Sequence, residues 1–288
     1  MMDKLKCLLS LKYISFSFIL FIFMIFKESS NTGLLLISLG LLLLVGLPHG
    51  ILDPLIFFRG KIKSKSKLLI FIGIYILAIL IFFSFWFINP IFTLIFFLMI
   101  SFQHFGMDWL HYNGKYYCFI NQFILGGSIF FLPCVLYPNE VSDFIVSLIN
   151  VHFIYLKELG FFWICLSLYI GYITNKHYLL DFFLLFASFY CLGIFWGFLV
   201  YFCTFHSIGH YKKNISHLLV MLKKFRFLLF FLILTTYLLM IFLVMNLDIK
   251  DFNVLNIMKI SIFILSAFTM PHFIVIMISD RIIIDNKQ

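Results

Sequence analysis

Charged side chains are scarce in this chain: Asp, Glu, Lys and Arg make up 11% of its 288 residues, with 12 acids against 21 bases. A soluble domain with so few charges, 64% hydrophobic residues and a mean hydropathy of +1.11 would expose large apolar patches. A soluble fold is therefore excluded. Paired cysteines are missing as well: Cys7, Cys118, Cys134, Cys165, Cys191 and Cys203 are scattered, and no C-x-x-C pair occurs. They read as small core residues, neither a disulfide framework nor a thiolate ligand set. No nucleic-acid-binding motif is present. The net charge of +9 is concentrated in loops and at the ends, where it suits lipid headgroups and membrane topology.

What the chain has in abundance is phenylalanine, 42 residues, set in long apolar runs. Lys4, Lys6 and Lys12 precede the first run, residues 13–26, which resembles a signal sequence without a small-residue cleavage site before Lys27-Glu28. It is expected to be a first transmembrane helix with a cytoplasmic N-terminus. The second run, 34–58, contains Pro48, His49, Gly50, Asp53 and Pro54 and ends in the basic loop 59–67, the clearest positive-inside signal. Further helices are expected over 68–88, 91–112 and 117–136, with turns at Asn89-Pro90, Asn113-Gly114 and Pro138-Asn139. Residues 141–177 form two short apolar pieces split at Lys157-Glu158. A long run from about Leu179 then closes at His206 and His210, ahead of a second basic loop, 212–226. Two more helices, 227–245 and 257–279, complete the chain, the last carrying Pro271-His272.

If both basic loops face the cytoplasm, the stretch from Pro138 to His177 must cross the membrane an even number of times, either zero or two. The expected fold is thus an all-α, polytopic transmembrane helical bundle of eight to ten helices, a single integral-membrane domain over 1–288. The helices carrying His49, His104, His206/His210 and His272 then all run from outside to inside. Each motif falls within about ten residues of its cytoplasmic end, roughly 15 Å at the α-helical rise. A single site towards the cytoplasmic side needs such a common depth.

The histidines carry the chemistry. His206 and His210 are four apart, so on an α-helix both imidazoles face the same way and can address one metal ion. Ionisable residues within membrane segments usually mark a site. His49 to Asp53 and His104 to Asp108 repeat the spacing of four with a carboxylate as partner. A metal-bound histidine commonly donates its other N–H to a carboxylate, so Asp53 and Asp108 are assigned to orienting the ligands His49, His104, His206 and His210. Asp53 beside Pro54 could instead cap a broken helix, and Asp108 could sit near the interface. Four neutral imidazoles suit Fe, Zn or Cu, and the residues alone do not choose. His111, His152, His177 and His217 lie near segment ends, where wetted histidines are ordinary. Pro271-His272 repeats the Pro48-His49 pairing, which places His272 as a residue lining the site.

Leu47-Pro48-His49-Gly50-Ile51-Leu52-Asp53, Gln103-His104-Phe105-Gly106-Met107-Asp108, Phe205-His206-Ser207-Ile208-Gly209-His210 and Pro271-His272 resemble, in order, the motifs of the Brp/Blh family of membrane β-carotene 15,15'-dioxygenases. The resemblance implies a multi-helix protein of the cell membrane that holds non-haem Fe(2+) with His49, His104, His206 and His210. It further implies cleavage of β-carotene by O2 at the central double bond into two retinal molecules, with a microbial rhodopsin as a possible recipient. One departure stands out: the residue before the second histidine of the pair is often Arg in the family and is Gly209 here. A rigid apolar polyene matches the ~30 Å hydrocarbon thickness and could enter sideways from the bilayer, past aromatics such as Phe102, Phe105, Trp109, Trp196, Phe202 and Phe205.

Rival readings fit less well. A metal or proton transporter needs polar groups leading to both faces, and here they cluster towards one. A diiron desaturase needs H-x-x-H-H boxes, and the chain has no His-His pair. A carotenoid or retinal carrier accounts for the aromatics but not for two His/Asp pairs in apolar segments.

Overall fold

A computed structural model of the chain describes residues 13–25, 50, 53–58, 65–110, 118–175, 177–209, 234 and 254–285. Among these residues the structure consists of helices joined by short turns, with no strand. The helices are α1 (Tyr13–Ile25), α2 (Asp53–Phe58), α3 (Lys65–Ile88), α4 (Pro90–Gly106), α5 (Phe119–Leu136), α6 (Pro138–Ile149), α7 (Leu156–Thr174), α8 (Tyr178–Leu192), α9 (Ile194–Tyr201) and α10 (Val254–Asp285). A π-helical turn, Phe202–Ser207, continues α9. Four of them, α3, α5, α7 and α10, are long and apolar enough to cross a membrane. Most of the 34–58 run, residues 59–64 of the first basic loop, the second basic loop, most of the 227–245 helix, His49 and His210 lie outside the described residues, and Lys65 and Lys67 open α3.

The chain divides into two compact units, Met1–Leu42 with Leu98–Gly209, and Leu43–Phe97 with His210–Gln288. In the second unit, α2, α3 and α10 pack together. The Trp86 indole N–H donates to Ser266 Oγ at 2.7 Å and the Trp86 ring lies 4.7 Å from that of Phe263, pinning α3 to α10. Satisfying an indole donor in this way matters most where no water can replace the partner. Pro90 opens α4, where its missing N–H costs nothing, and Asn89 accepts the Phe92 N–H at 3.0 Å.

In the first unit, the C-terminal part of α4 lies against α5 with almost no side chain between them. A Cβ on Gly126 would sit 1.8 Å from the Phe102 carbonyl oxygen, and one on Gly106 2.0 Å from that of Gln122. Small residues at a helix crossing are the membrane solution to packing, because lipid gives helices no hydrophobic reason to associate.

Two boundaries differ from the sequence expectation. The split within 141–177 falls at Asn150, whose left-handed φ of 56° ends α6; Lys157-Glu158 instead lie in the first turn of α7. The 12-residue α6 buries only Val141, Phe144 and Ile149, an amphipathic stripe too short to span. One long apolar helix, α7, therefore stands where an even number of crossings was expected. The second difference compensates the first. The run from Leu179 to His206 is two helices folded back on one another: Gly193, at φ 84° and ψ −174°, reverses the chain, and Ser188 Oγ reaches the Gly197 carbonyl at 3.4 Å. That backbone region is open to glycine almost alone. Hydropathy missed the reversal because both sides of Gly193 are equally apolar. Were α7 and both arms of the hairpin to cross a membrane, the crossings from Pro138 to His206 would be odd in number, as the expected even stretch plus one helix would make them.

Candidate functional site

In the first unit the site is built from the end of α4, the turn that follows it and the π-helical turn after α9. His104, in the last turn of α4, and His206, in the π-helical turn, are both buried. Their Nε2 atoms lie 3.1 Å apart. The extra residue of a π-turn rotates the side chains it carries relative to a continuous α-helix, and such turns are frequent at functional sites. Thr204 here donates to the Val200 carbonyl at 2.6 Å.

Asp108 does not pair with His104, as their spacing of four suggested. The α-helix ends at Gly106, and Met107, Asp108 and Trp109 continue in a tighter turn, their N–H groups bonding the carbonyls of His104, Phe105 and Gly106 at 3.0–3.2 Å. That turn carries the Asp108 carboxylate to His206 Nδ1, at 3.2 and 3.3 Å from its two oxygens, while Tyr201 Oη donates to Oδ2 at 2.6 Å. Two side-chain amides hold the turn's carbonyls: Gln122 donates to Leu110 O at 2.5 Å, and Asn175 to Trp109 O at 3.0 Å. Gln103 donates in turn to Gln122.

The second unit contains the same sequence of groups. The buried Asp53, at the start of α2, accepts from Tyr75 Oη of α3 at 2.5 Å through Oδ2. Its Oδ1 lies 2.7 Å from Nδ1 of His272, which follows Pro271 within α10. An ionised carboxylate only accepts, so in both Tyr–Asp–His sets the histidine donates through Nδ1–H, and a neutral imidazole so placed has its lone pair on Nε2. That is the tautomer a metal ligand needs.

Of the residues singled out from the sequence, His104, His206 and Asp108 come together in the first unit, and Asp53 joins His272 in the second. His49 and His210 lie outside the described residues. Tyr75 and Tyr201 were not foreseen, because one hydroxyl among 14 tyrosines leaves no mark in a single sequence. Of the aromatics, Phe105 presents its edge to His206 at 4.9 Å and Phe202 stacks on it at 5.5 Å. Phe102 packs instead against Phe123, Phe130, Phe131 and Trp163 between helices, and Trp109 against Tyr178 and Tyr201.

The geometry at His104 and His206 fits a metal. Two nitrogens each about 2.1 Å from one ion, at a right angle, lie about 3.0 Å apart, against the 3.1 Å found. A family profile described as "Beta-carotene 15,15'-dioxygenase" matches residues 40–280. The chain belongs to this family. It is accordingly an enzyme of the β-carotene 15,15'-dioxygenase family, and carotene cleavage is its reaction class. A relative named Beta-carotene 15,15'-dioxygenase, from an uncultured marine bacterium 66A03, is 31% identical over 203 residues, covering 65% of this chain and 74% of its own length. No solved structure matches the chain.

Proposed function

We propose that the protein is a non-haem iron oxygenase of the cell membrane that cleaves β-carotene at its central 15,15' double bond with O2, giving two molecules of all-trans-retinal. The observation that carries the reading is the buried pair His104 and His206, with Asp108 against Nδ1 of His206, a contact that favours the ligand tautomer. His49, His104, His206 and His210 are assigned as the residues that hold Fe(2+), with the site towards the cytoplasmic side. Asp53 and Asp108 orient imidazoles. The iron, when bound, supplies the O2 chemistry, and one O2 per C=C giving two aldehydes balances with no further reductant.

The remaining work falls to the chain itself. Phe105 and Phe202 wall His206 with aromatic faces and edges, which exclude water and offer a polyene stacking surface. The substrate enters from the bilayer, and retinal leaves by the same apolar route, available to a microbial rhodopsin. The test is pigment extraction from a bacterial host that makes β-carotene, comparing the parent with His206→Ala at equal membrane levels. Retinal from the parent and none from the variant is the expected result. Intact β-carotene with both, in membranes whose protein holds iron, sinks the choice of carotenoid; intact β-carotene without bound iron sinks the metal assignment.

A further inference from the structure

We infer that Tyr201 is a positioning residue which sets how strongly Asp108 draws on the His206 imidazole, and through it the ferric/ferrous balance of the bound iron; the inference rests on the metal reading above. A buried carboxylate needs donors. In an apolar setting its charge must be shared among donors, and each donor that takes a share leaves less for the others. Tyr201 Oη donates to Oδ2 of Asp108 at 2.6 Å, while His206 Nδ1 straddles the two oxygens, 3.2 Å from Oδ2 and 3.3 Å from Oδ1. On Oδ2 the phenol and the imidazole compete. The shorter bond belongs to the tyrosine, so the phenol takes the larger share and the imidazole contact is left long.

The second unit shows what happens without that competition. There Tyr75 addresses Oδ2 of Asp53 while His272 addresses Oδ1, and the imidazole contact shortens to 2.7 Å. The same three groups, built on different helices, thus occur in a competing and a non-competing form. A strong Asp···H–Nδ1 bond makes the opposite nitrogen a better electron donor to a metal. A weakened one makes it a poorer donor, which favours the ferrous state. Tyr201 keeps Asp108 in the weakened form.

The experiment is a redox titration of the iron-loaded full-length protein in detergent, followed by the electron paramagnetic resonance signal of ferric iron. Tyr201→Phe removes the competitor, and the midpoint potential falls as the balance moves about tenfold towards ferric, about 59 mV for one electron. Asp108→Asn moves it the other way. A third protein, with difluorotyrosine placed site-specifically at 201, keeps the shape of the side chain and strengthens its O–H donor, so its potential rises; it decides the matter should the phenylalanine variant not fold. A potential unmoved by the change at 201, or one that rises in Tyr201→Phe as in Asp108→Asn, overturns the inference and leaves Tyr201 as a structural prop. A parent protein that retains no iron overturns the metal reading itself.

Discussion

The two Tyr–Asp–His chains use the same groups in settings of different stiffness. In the second unit, Asp53 opens a helix, is fully buried, and meets its partners at 2.5 and 2.7 Å, each on its own oxygen. In the first, Asp108 sits in a non-helical turn, has a side chain 12% exposed, and meets His206 at 3.2 Å while His206 also faces His104 at 3.1 Å. A carboxylate fixed between helices has little freedom. One carried on a turn, and steadied by Gln122 and Asn175, has more room to follow its histidine. Asp53 is the more tightly held of the two carboxylates and Asp108 the less.

The largest effect that tests this contrast is on stability. Asp53→Asn puts a donor opposite the Tyr75 hydroxyl or the His272 N–H, which breaks one hydrogen bond to a charged group, at about 1.5–3 kcal/mol, and leaves the other with only a neutral acceptor. We expect it to lower the melting temperature of the detergent-solubilised protein far more than Asp108→Asn does; equal losses would erase the distinction. Next comes Gly126→Leu, whose side chain has no place beside the Phe102 carbonyl. Separating α4 from α5 should displace the turn that carries Asp108, so iron content falls together with folded yield. A Gly126→Leu protein with full iron content would mean that the first unit does not depend on this crossing.

Smaller effects separate the two tyrosines. Tyr75→Phe should cost about 1.5–3 kcal/mol, as expected for a buried bond to a charged acceptor, while Tyr201→Phe should cost less, because His206 can close on Asp108 in compensation. Comparing their chemical denaturation midpoints checks the order. Last, Gln122→Leu strips the buried Leu110 carbonyl and the Gln103 amide of their shared partner, so about 1–3 kcal/mol of stability should go together with a roughly tenfold lower retinal yield, as expected when the partners that orient a ligand are loosened. A yield equal to the parent's would remove Gln122 from the support of the site.

Much of this was legible in the sequence, for a physical reason: apolar runs and histidines within them are both expensive choices that leave a visible pattern. The helical architecture followed from hydropathy, and the histidine and aspartate motifs pointed to the residues that pair. The partners of those pairs were less legible. Spacing alone joined Asp108 to His104, because spacing presumes a continuous α-helix, and the helix stops at Gly106. His272 was placed as a lining residue, since nothing local shows that Asp53, 219 positions away, is its partner. Gly193 was invisible for a related reason: a hairpin and a straight helix have the same hydropathy, and one glycine among 15 does not announce a left-handed turn.

The reversal at Gly193 bears on how the protein is made. Residues 178–207 emerge from the ribosome as one nearly continuous apolar run, and nothing in their hydrophobicity tells an insertion machinery to fold them as two. The helix end at the turn has carbonyl groups that lipid cannot satisfy. Tyr137 meets those of Phe189 and Tyr190 with its hydroxyl, at 3.0 and 3.1 Å, from 52 and 53 positions earlier in the chain. Because synthesis runs from the N-terminus, that hydroxyl is in place before the run arrives, and the segment that delivers His206 to its partners takes its shape from helices already made.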